Sequence, residues 1–172
     1  MMGLLKHDKK DITNIINFLI QYVDGFNEIN AIDKHGDDHG VRGVFTFGQR
    51  YEYIPGNFMI RVSDKEITTY YPKEFQMNTA FSKANIIEES GSRHGIKGGF
   101  LYFDKYALDA IRKIADTTEG HSVTDYYEDE KYYFTINTVT NPAITLIFDK
   151  NVIEYDYKAI KTQIYKLIRA EH

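Results

Sequence analysis

Two glycine-rich segments, each with a histidine and a basic residue, carry the most distinctive residue pattern of this 172-residue chain. Their shared residues are His39, Gly40, Arg42 and Gly43 in the first segment and His94, Gly95, Lys97 and Gly98 in the second. Backbone N–H groups, an imidazole and a cation can together bind phosphate or carboxylate. The pattern also has a structural explanation, since glycine accepts a positive φ at a helix end and imidazole can bond backbone groups. Both interpretations are open.

The two segments form an internal repeat at an offset of 55 residues without gaps. Residues 30–45 align with residues 85–100, and seven of the sixteen positions are identical. The shared pattern is N-x-I-[DE]-x-x-G-x-x-H-G-[VI]-[RK]-G-x-F, and neither copy is a P-loop. A fixed-period match of this length predicts duplication of a unit made of a helix end, a loop and a strand.

The first copy also contains a possible metal-ligand set, His35, Asp37 and His39. Nitrogen and oxygen ligands at such close spacing are compatible with a transition-metal ion. In the second copy the first two positions are Ser90 and Ser92, so a metal would bind the first copy alone. A solvated polar loop without metal explains the same residues, and we expect no cofactor.

A second candidate is an acidic, tyrosine-bearing stretch in the second half of the chain. It consists of Asp125, Tyr126, Tyr127, Glu128, Asp129 and Glu130. Tyrosine is enriched at protein interfaces because it is rigid and amphipathic. The stretch therefore predicts either a partner surface for a basic protein or a solvated turn whose strands bury alternate tyrosines.

Composition excludes several classes of protein. The chain has no cysteine, which excludes disulfide scaffolds and thiolate chemistry, and 42% of its residues are hydrophobic, too many for a disordered chain. Net charge is −4, from 21 basic and 25 acidic residues, so binding to nucleic acid by counterion release is not expected. Nucleophile-elbow, H-E-x-x-H and G-x-G-x-x-G motifs are missing from the sequence, which favours a protein that is not an enzyme.

Residue usage and hydropathy indicate a source and a location. Ile occurs 21 times against 9 Ala, and Lys 15 times against 6 Arg, a bias typical of an A+T-rich genome such as a low-GC bacterium or its phage. No window reaches the ~18 apolar residues that a membrane span requires. We therefore expect a cytoplasmic protein with no membrane partner.

Hydrophobic periodicity predicts the elements that position these candidates. In the first half we expect a helix over 11–26, an antiparallel meander and a second helix within 73–87. The strands of the meander are predicted at 44–47, 51–54, 58–62 and 66–71.

In the second half we expect a strand over 100–103 and then a helix capped by Asp104. Two hairpins should follow, and apolar spacing after Asp156 predicts a C-terminal helix. The hairpin strands are predicted at 122–127 with 132–139 and at 144–148 with 152–155, and the C-terminal helix buries Ile160, Ile164, Leu167 and Ile168.

This order predicts an α+β fold with an antiparallel or mixed sheet and helices at both ends and in the middle. We expect one domain over 1–172, built from related units at about 10–72 and 73–140 with a hairpin and helix over 141–172.

Three functions remain open. The leading hypothesis is a non-enzymatic protein-interaction module, such as a phage or mobile-element inhibitor of a host system, for example an anti-CRISPR-like protein. The second is a small nucleotide- or phosphate-handling enzyme or binding protein that uses the paired His-Gly loops. The third is a homodimeric immunity or scaffold protein.

Overall fold

The computed structural model describes residues 12–35, 40–48, 79–139 and 142–172. Within these ranges the protein has three α-helices and a seven-stranded mixed sheet, so the predicted α+β class with a mixed sheet is confirmed. The predicted strands at 51–54, 58–62 and 66–71 lie outside the described residues, as does the beginning of the predicted helix over 73–87.

Two helices and two short strands form the described part of the chain up to Asp104. The helices are α1 (Ile12–His35) and α2 (Thr79–Ser90), and the strands are β1 (Gly43–Phe45) and β2 (Leu101–Asp104). The first helix buries the predicted apolar face but continues well past residue 26, because residues 27–35 contain neither glycine nor proline. A 3₁₀ turn over Gly91–His94 follows α2.

The third helix begins where the sequence predicts. It is α3 (Lys105–Asp116), and Asp104 is its N-cap, accepting a hydrogen bond from the Ala107 backbone N–H at 2.8 Å. The helix buries Leu108, Ile111 and Ala115 against the sheet, as a 3.6-residue period requires.

Strands β3 (Ser122–Glu128) and β4 (Lys131–Asn137) form the predicted hairpin, with Glu128 opposite Lys131. Asp129 and Glu130 make its two-residue turn with φ of 45° and 65°. Positive φ at both central residues is characteristic of a type I′ turn, which matches the twist of the strands.

The C-terminal prediction is wrong in two respects. Residues 160–171 form strand β7 (Ile160–Glu171), not a helix, and Ile168 is 45% exposed. Strands β5 (Ile144–Asp149) and β6 (Ile153–Tyr157) do not pair with each other; both pair antiparallel with β7. Strands β5 and β6 together form one arm of a long hairpin, and β7 forms the other arm. The turn between the two arms is Lys158-Ala159.

Strand β7 lies at the centre of the sheet, which has the order β1-β2-β7-β5-β4-β3 with β6 also paired to β7. Its neighbouring residues Ile164 and Tyr165 belong to different hydrophobic clusters. The larger cluster joins α1 and α3 to one face of the sheet, and the smaller one joins α2 to the other. A strand buried on both faces has apolar residues at odd and even positions, which is why its spacing resembles that of a helix.

The Lys158-Ala159 turn provides a test of the β6–β7 hairpin. Both residues have positive φ, 48° and 62°, which costs an L-residue with a Cβ about 1 kcal/mol or more. Ala159→Gly should therefore raise the free energy of unfolding by about 1 kcal/mol in urea titrations.

The control for this prediction is Ala110→Gly in the interior of α3, where the same substitution should lower the free energy of unfolding by about 1 kcal/mol. Destabilisation by both variants would contradict the assigned turn.

Candidate functional site

The two His-Gly segments lie side by side in the fold. Strands β1 and β2 are adjacent and parallel, so each segment connects a helix to one of two neighbouring strands. Gly40 and Gly95, which align in the repeat, both adopt left-handed backbone conformations with φ of 76° and 79°. This agrees with the conformational role predicted for these glycines. In the parallel pair Phe45 lies opposite Phe103. The duplication itself stays a prediction.

The first segment packs directly against the second. The Gly99 N–H donates to Val41 O at 2.7 Å, and the Gly43 N–H donates to Phe100 O at 3.1 Å. Asn30 Nδ2 donates to Gly99 O at 3.2 Å. A Cβ at Gly40 would lie 2.8 Å from Gly99 Cα, so glycine is required there by close approach as well as by φ.

Arg42 is engaged with the end of α2. Its Nη1 donates to Glu88 O and its Nη2 donates to Ser92 Oγ, both at 2.7 Å. The Glu88 carboxylate lies 3.7 Å from Nη1. A cation at a helix C-terminus satisfies carbonyls that lack partners within the helix. These contacts use two of the five N–H donors of Arg42, and its Nε is buried without a partner among the described residues.

Most backbone donors of the second segment are also used within the protein. The N–H groups of Gly95 and Ile96 donate to Gly91 O, and the Lys97 N–H donates to the Tyr102 hydroxyl at 2.9 Å. The N–H of Gly99, the residue after Gly98, donates to Val41 O as described above. The Lys97 side chain is exposed. An anion nest needs several free N–H groups facing one point. The described geometry favours the structural interpretation of this segment, and the anion site stays a prediction.

His94 contacts the turn and the strand beneath it. Its Nδ1 lies 3.0 Å from Ser90 O, and its ring lies 4.9 Å and 5.2 Å from the rings of Tyr155 and Tyr157. A carbonyl oxygen only accepts, so Nδ1 carries the proton in this bond. Ser90 in turn bonds the Tyr155 hydroxyl at 2.6 Å. His94 thereby connects the end of α2 to β6.

His39 and Asp37 lie outside the described residues, and so does the side chain of His35. The metal-ligand set of the first segment therefore stays a prediction. In the described ranges no three His, Cys, Asp or Glu side chains are grouped to hold a metal ion.

Asp125 in β3 has a structural role in the acidic stretch. Arg112 Nη1 of α3 donates a hydrogen bond to Asp125 Oδ1 at 3.0 Å, and Arg112 Nη2 forms an ion pair with Oδ2 at 3.0 Å. The Tyr132 hydroxyl donates to Oδ2 at 2.9 Å. The Arg112 hydrogen bond holds the pKa of the Asp125 carboxyl below its usual value. Burial, followed by the bond to Asp125, raises the pKa of Tyr132. The Arg112–Asp125 ion pair connects α3 to β3.

Tyr126 and Tyr127 are exposed but held in place. Their side chains are 50% and 63% exposed. The Tyr126 ring stacks on Tyr133 at 4.8 Å and 6° between planes, and the Tyr127 ring stacks on Tyr132 at 4.8 Å. Cross-strand stacking fixes both rings before any partner arrives, which lowers the entropy cost of a contact.

The acidic residues of the turn differ in their partners. Glu130 forms an ion pair with Lys150, whose backbone N–H also donates to Glu130 O at 3.1 Å. Glu128 and Asp129 make no ion pair with the described residues, although Lys131 lies opposite Glu128 in the ladder. Beside the exposed tyrosines, the end of the hairpin therefore presents two carboxylates that form no ion pair with the described residues.

A buried ion pair that the sequence did not predict connects β1, β2, α2 and α3. Lys83 Nζ lies 2.8 Å from Asp104 Oδ2 and 2.8 Å from Phe47 O, and it stands 4.4 Å from the centre of the Tyr106 ring. Asp104 has 0% exposure. Burial raises the pKa of Asp104, and the hydrogen bond from Lys83 opposes that rise. The capping role of Asp104 is predictable from its position before an apolar helix, but no local signal in the sequence indicates Lys83 as its partner.

Comparison of the chain with protein-family models, curated proteins and solved structures finds no match. Of the described helices, none combines the length and the hydropathy needed to cross a membrane.

Removing the cation from the buried pair should produce a pH-dependent loss of stability. Lys83→Met leaves the Asp104 carboxylate without a cation and should cost about 3 kcal/mol at pH 7. When a carboxyl has a higher pKa in the folded protein than its value of about 4 in the unfolded chain, the protein loses stability as the pH rises through the folded pKa. The deficit should therefore shrink toward pH 4 in urea titrations.

Lys105→Met is the control for this measurement, because it removes only an exposed pair with Asp109 and should change stability by less than about 0.5 kcal/mol. A Lys83→Met deficit of equal size at pH 4.5 and pH 7 would contradict the assigned role.

The two interpretations of the His-Gly segments predict different results for His94→Ala. A structural role predicts a loss of about 1–2 kcal/mol from one hydrogen bond and two ring contacts. Because Lys97 is exposed, the free energy of unfolding of Lys97→Ala should stay within about 0.5 kcal/mol of that of the parent protein. Thermal unfolding with and without inorganic phosphate checks both, and a phosphate-dependent shift lost in His94→Ala would favour the anion site instead.

Proposed function

We propose that this chain is a non-enzymatic protein-interaction module that contacts its partner through the β3–β4 hairpin. The observation that carries the proposal is the pair of exposed tyrosines, Tyr126 and Tyr127, each stacked in a fixed position on a tyrosine of β4. Rigid aromatic side chains on an exposed strand supply contact area at low entropic cost, and they are the residues that most often dominate binding energy at interfaces.

The charge around these rings defines the partner's character. Glu128 and Asp129 stand beside the tyrosines at the turn, and the chain as a whole has a net charge of −4. Complementary charge at an interface increases the association rate and excludes partners of like charge. The partner we propose is a basic protein, and the role we propose is that of an inhibitor or regulator of a host system.

The paired His-Gly segments give less support to a phosphate-handling function. Two N–H donors of Arg42 and four of the five backbone N–H groups from Gly95 to Gly99 have acceptors within the protein. A ligand at this position would have to replace those bonds, each worth about 1 kcal/mol net.

The tyrosines provide the direct test of this proposal. In affinity capture from a lysate of the host, Tyr126→Ala and Tyr127→Ala should each reduce recovery of the captured protein by roughly tenfold, the effect of removing one interface aromatic worth about 1–2 kcal/mol. Tyr106→Ala on α3 is the matched control, because Tyr106 has a similar exposure of 52% but lies outside the hairpin.

The contribution of the Glu128 and Asp129 carboxylates is tested by the same affinity capture. Glu128→Lys with Asp129→Lys should reduce capture, while Asp24→Lys on the exposed side of α1 should not. Equal recovery by the hairpin variants and by both controls, with all variants folded by circular dichroism, would contradict the proposed surface.

A further inference from the structure

Strand β3 is the last strand of the sheet on the side away from β1. It pairs with β4 along all of its seven residues, and no other described strand pairs with it. Six of the seven residues are exposed. A strand in this position offers a second row of backbone N–H and C=O groups to another chain.

The register identifies which groups face outward. In a hairpin with a two-residue loop, the residues that flank the loop exchange backbone hydrogen bonds with each other, here Glu128 and Lys131. The pattern alternates along the ladder, so Thr124, Tyr126 and Glu128 bond β4. The backbone groups of Val123, Asp125 and Tyr127 consequently point away from the sheet.

From this edge, and on the basis of the proposed function, we infer that the partner binds as an added antiparallel strand on β3. Antiparallel addition forms bonds perpendicular to the strands and is slightly more stable per residue than parallel addition. Up to six backbone hydrogen bonds are possible, one from each N–H and one to each C=O of the three outward-facing residues.

The side chains of β3 define the pattern of the added strand. One face of β3 carries Thr124, Tyr126 and Glu128, and a lysine or arginine opposite these residues can pair with the carboxylate and contact the aromatic ring. The other face carries Val123, Asp125 and Tyr127. Asp125 is already paired with Arg112, and Val123 and Tyr127 favour β-branched residues opposite them. The inferred ligand is therefore an extended segment in which basic and β-branched residues alternate.

A second copy of this chain fits the same edge less well. Pairing of β3 with β3 of a second copy would bring a second set of the same carboxylates to the edge. If that pairing were centred on Asp125, Asp125 would lie opposite Asp125 of the second copy. Like charges opposite each other destabilise a sheet. A basic segment from another protein provides the missing opposite charge.

The experiment uses the whole protein and a fluorescein-labelled peptide, KVKVKVK, matched to the seven-residue length of β3. Fluorescence anisotropy should detect binding that Tyr126→Ala weakens and Tyr106→Ala does not. The charge-reversed peptide EVEVEVE should bind at least roughly tenfold more weakly. Absence of saturable binding by KVKVKVK would overturn the inference.

Two N-methylated peptides separate strand addition from docking by side chains alone. The valine amides of the added strand face β3, so methylating them should weaken binding by roughly tenfold or more, through loss of about three hydrogen bonds. Methylating the lysine amides, which face away, should leave binding within roughly threefold of the parent peptide.

Equal effects of the two methylations would overturn strand addition while leaving the tyrosine surface of the proposed function intact. Loss of the Tyr126→Ala effect in both capture and anisotropy would instead count against the proposed function itself. Sedimentation equilibrium of the protein alone tests whether a second copy of the chain occupies the edge of β3. A dimer that Tyr126→Ala abolishes would assign the edge to that second copy.

Discussion

The buried ion pair between Lys83 and Asp104 is the interaction on which the arrangement of the other elements depends. One lysine Nζ meets the Asp104 carboxylate and the Phe47 carbonyl, and the same carboxylate caps α3. The pair therefore holds four parts of the fold at one point: the segment after β1, α2, the end of β2 and the start of α3. A buried charge is tolerated only when it is paired and hydrogen-bonded, so these elements cannot separate without exposing an unpaired ion.

From that point the central strand β7 extends the sheet to the hairpin. It pairs with β2 near Ile164 and with β5 toward Glu171, and β5 is followed by β4 and β3. Helix α3 returns to β3 through the Arg112–Asp125 pair. The hairpin is thus supported on its inner side by both the sheet and a helix, while its outer edge is left to solvent within the described structure. A rigid strand with a free edge and fixed aromatic rings is a suitable surface for a partner.

Local signals predicted the elements whose neighbours in sequence are also their neighbours in space. The helix capped by Asp104 and the hairpin around Asp129 were both predicted from short windows and are confirmed. Strand β7 was mistaken for a helix because Ile164 and Tyr165 are buried on opposite faces, and the turn Lys158-Ala159 lacks the usual glycine. Lys83 could not be assigned to Asp104, because their pairing depends on tertiary structure. For the candidate site, sequence predicted the acidic tyrosine stretch but not which of its carboxylates are already paired.

Amide hydrogen exchange of the free protein tests the central claim, a free backbone edge on β3, most directly. If β3 bonds only β4, the N–H groups of Val123, Asp125 and Tyr127 exchange near the rate of an unstructured chain, while those of Thr124, Tyr126 and Glu128 exchange at least roughly a hundredfold more slowly. This alternation along six consecutive residues is the result that the account predicts. Strong protection of Val123, Asp125 and Tyr127 as well would show that the edge is already covered, and would contradict the account.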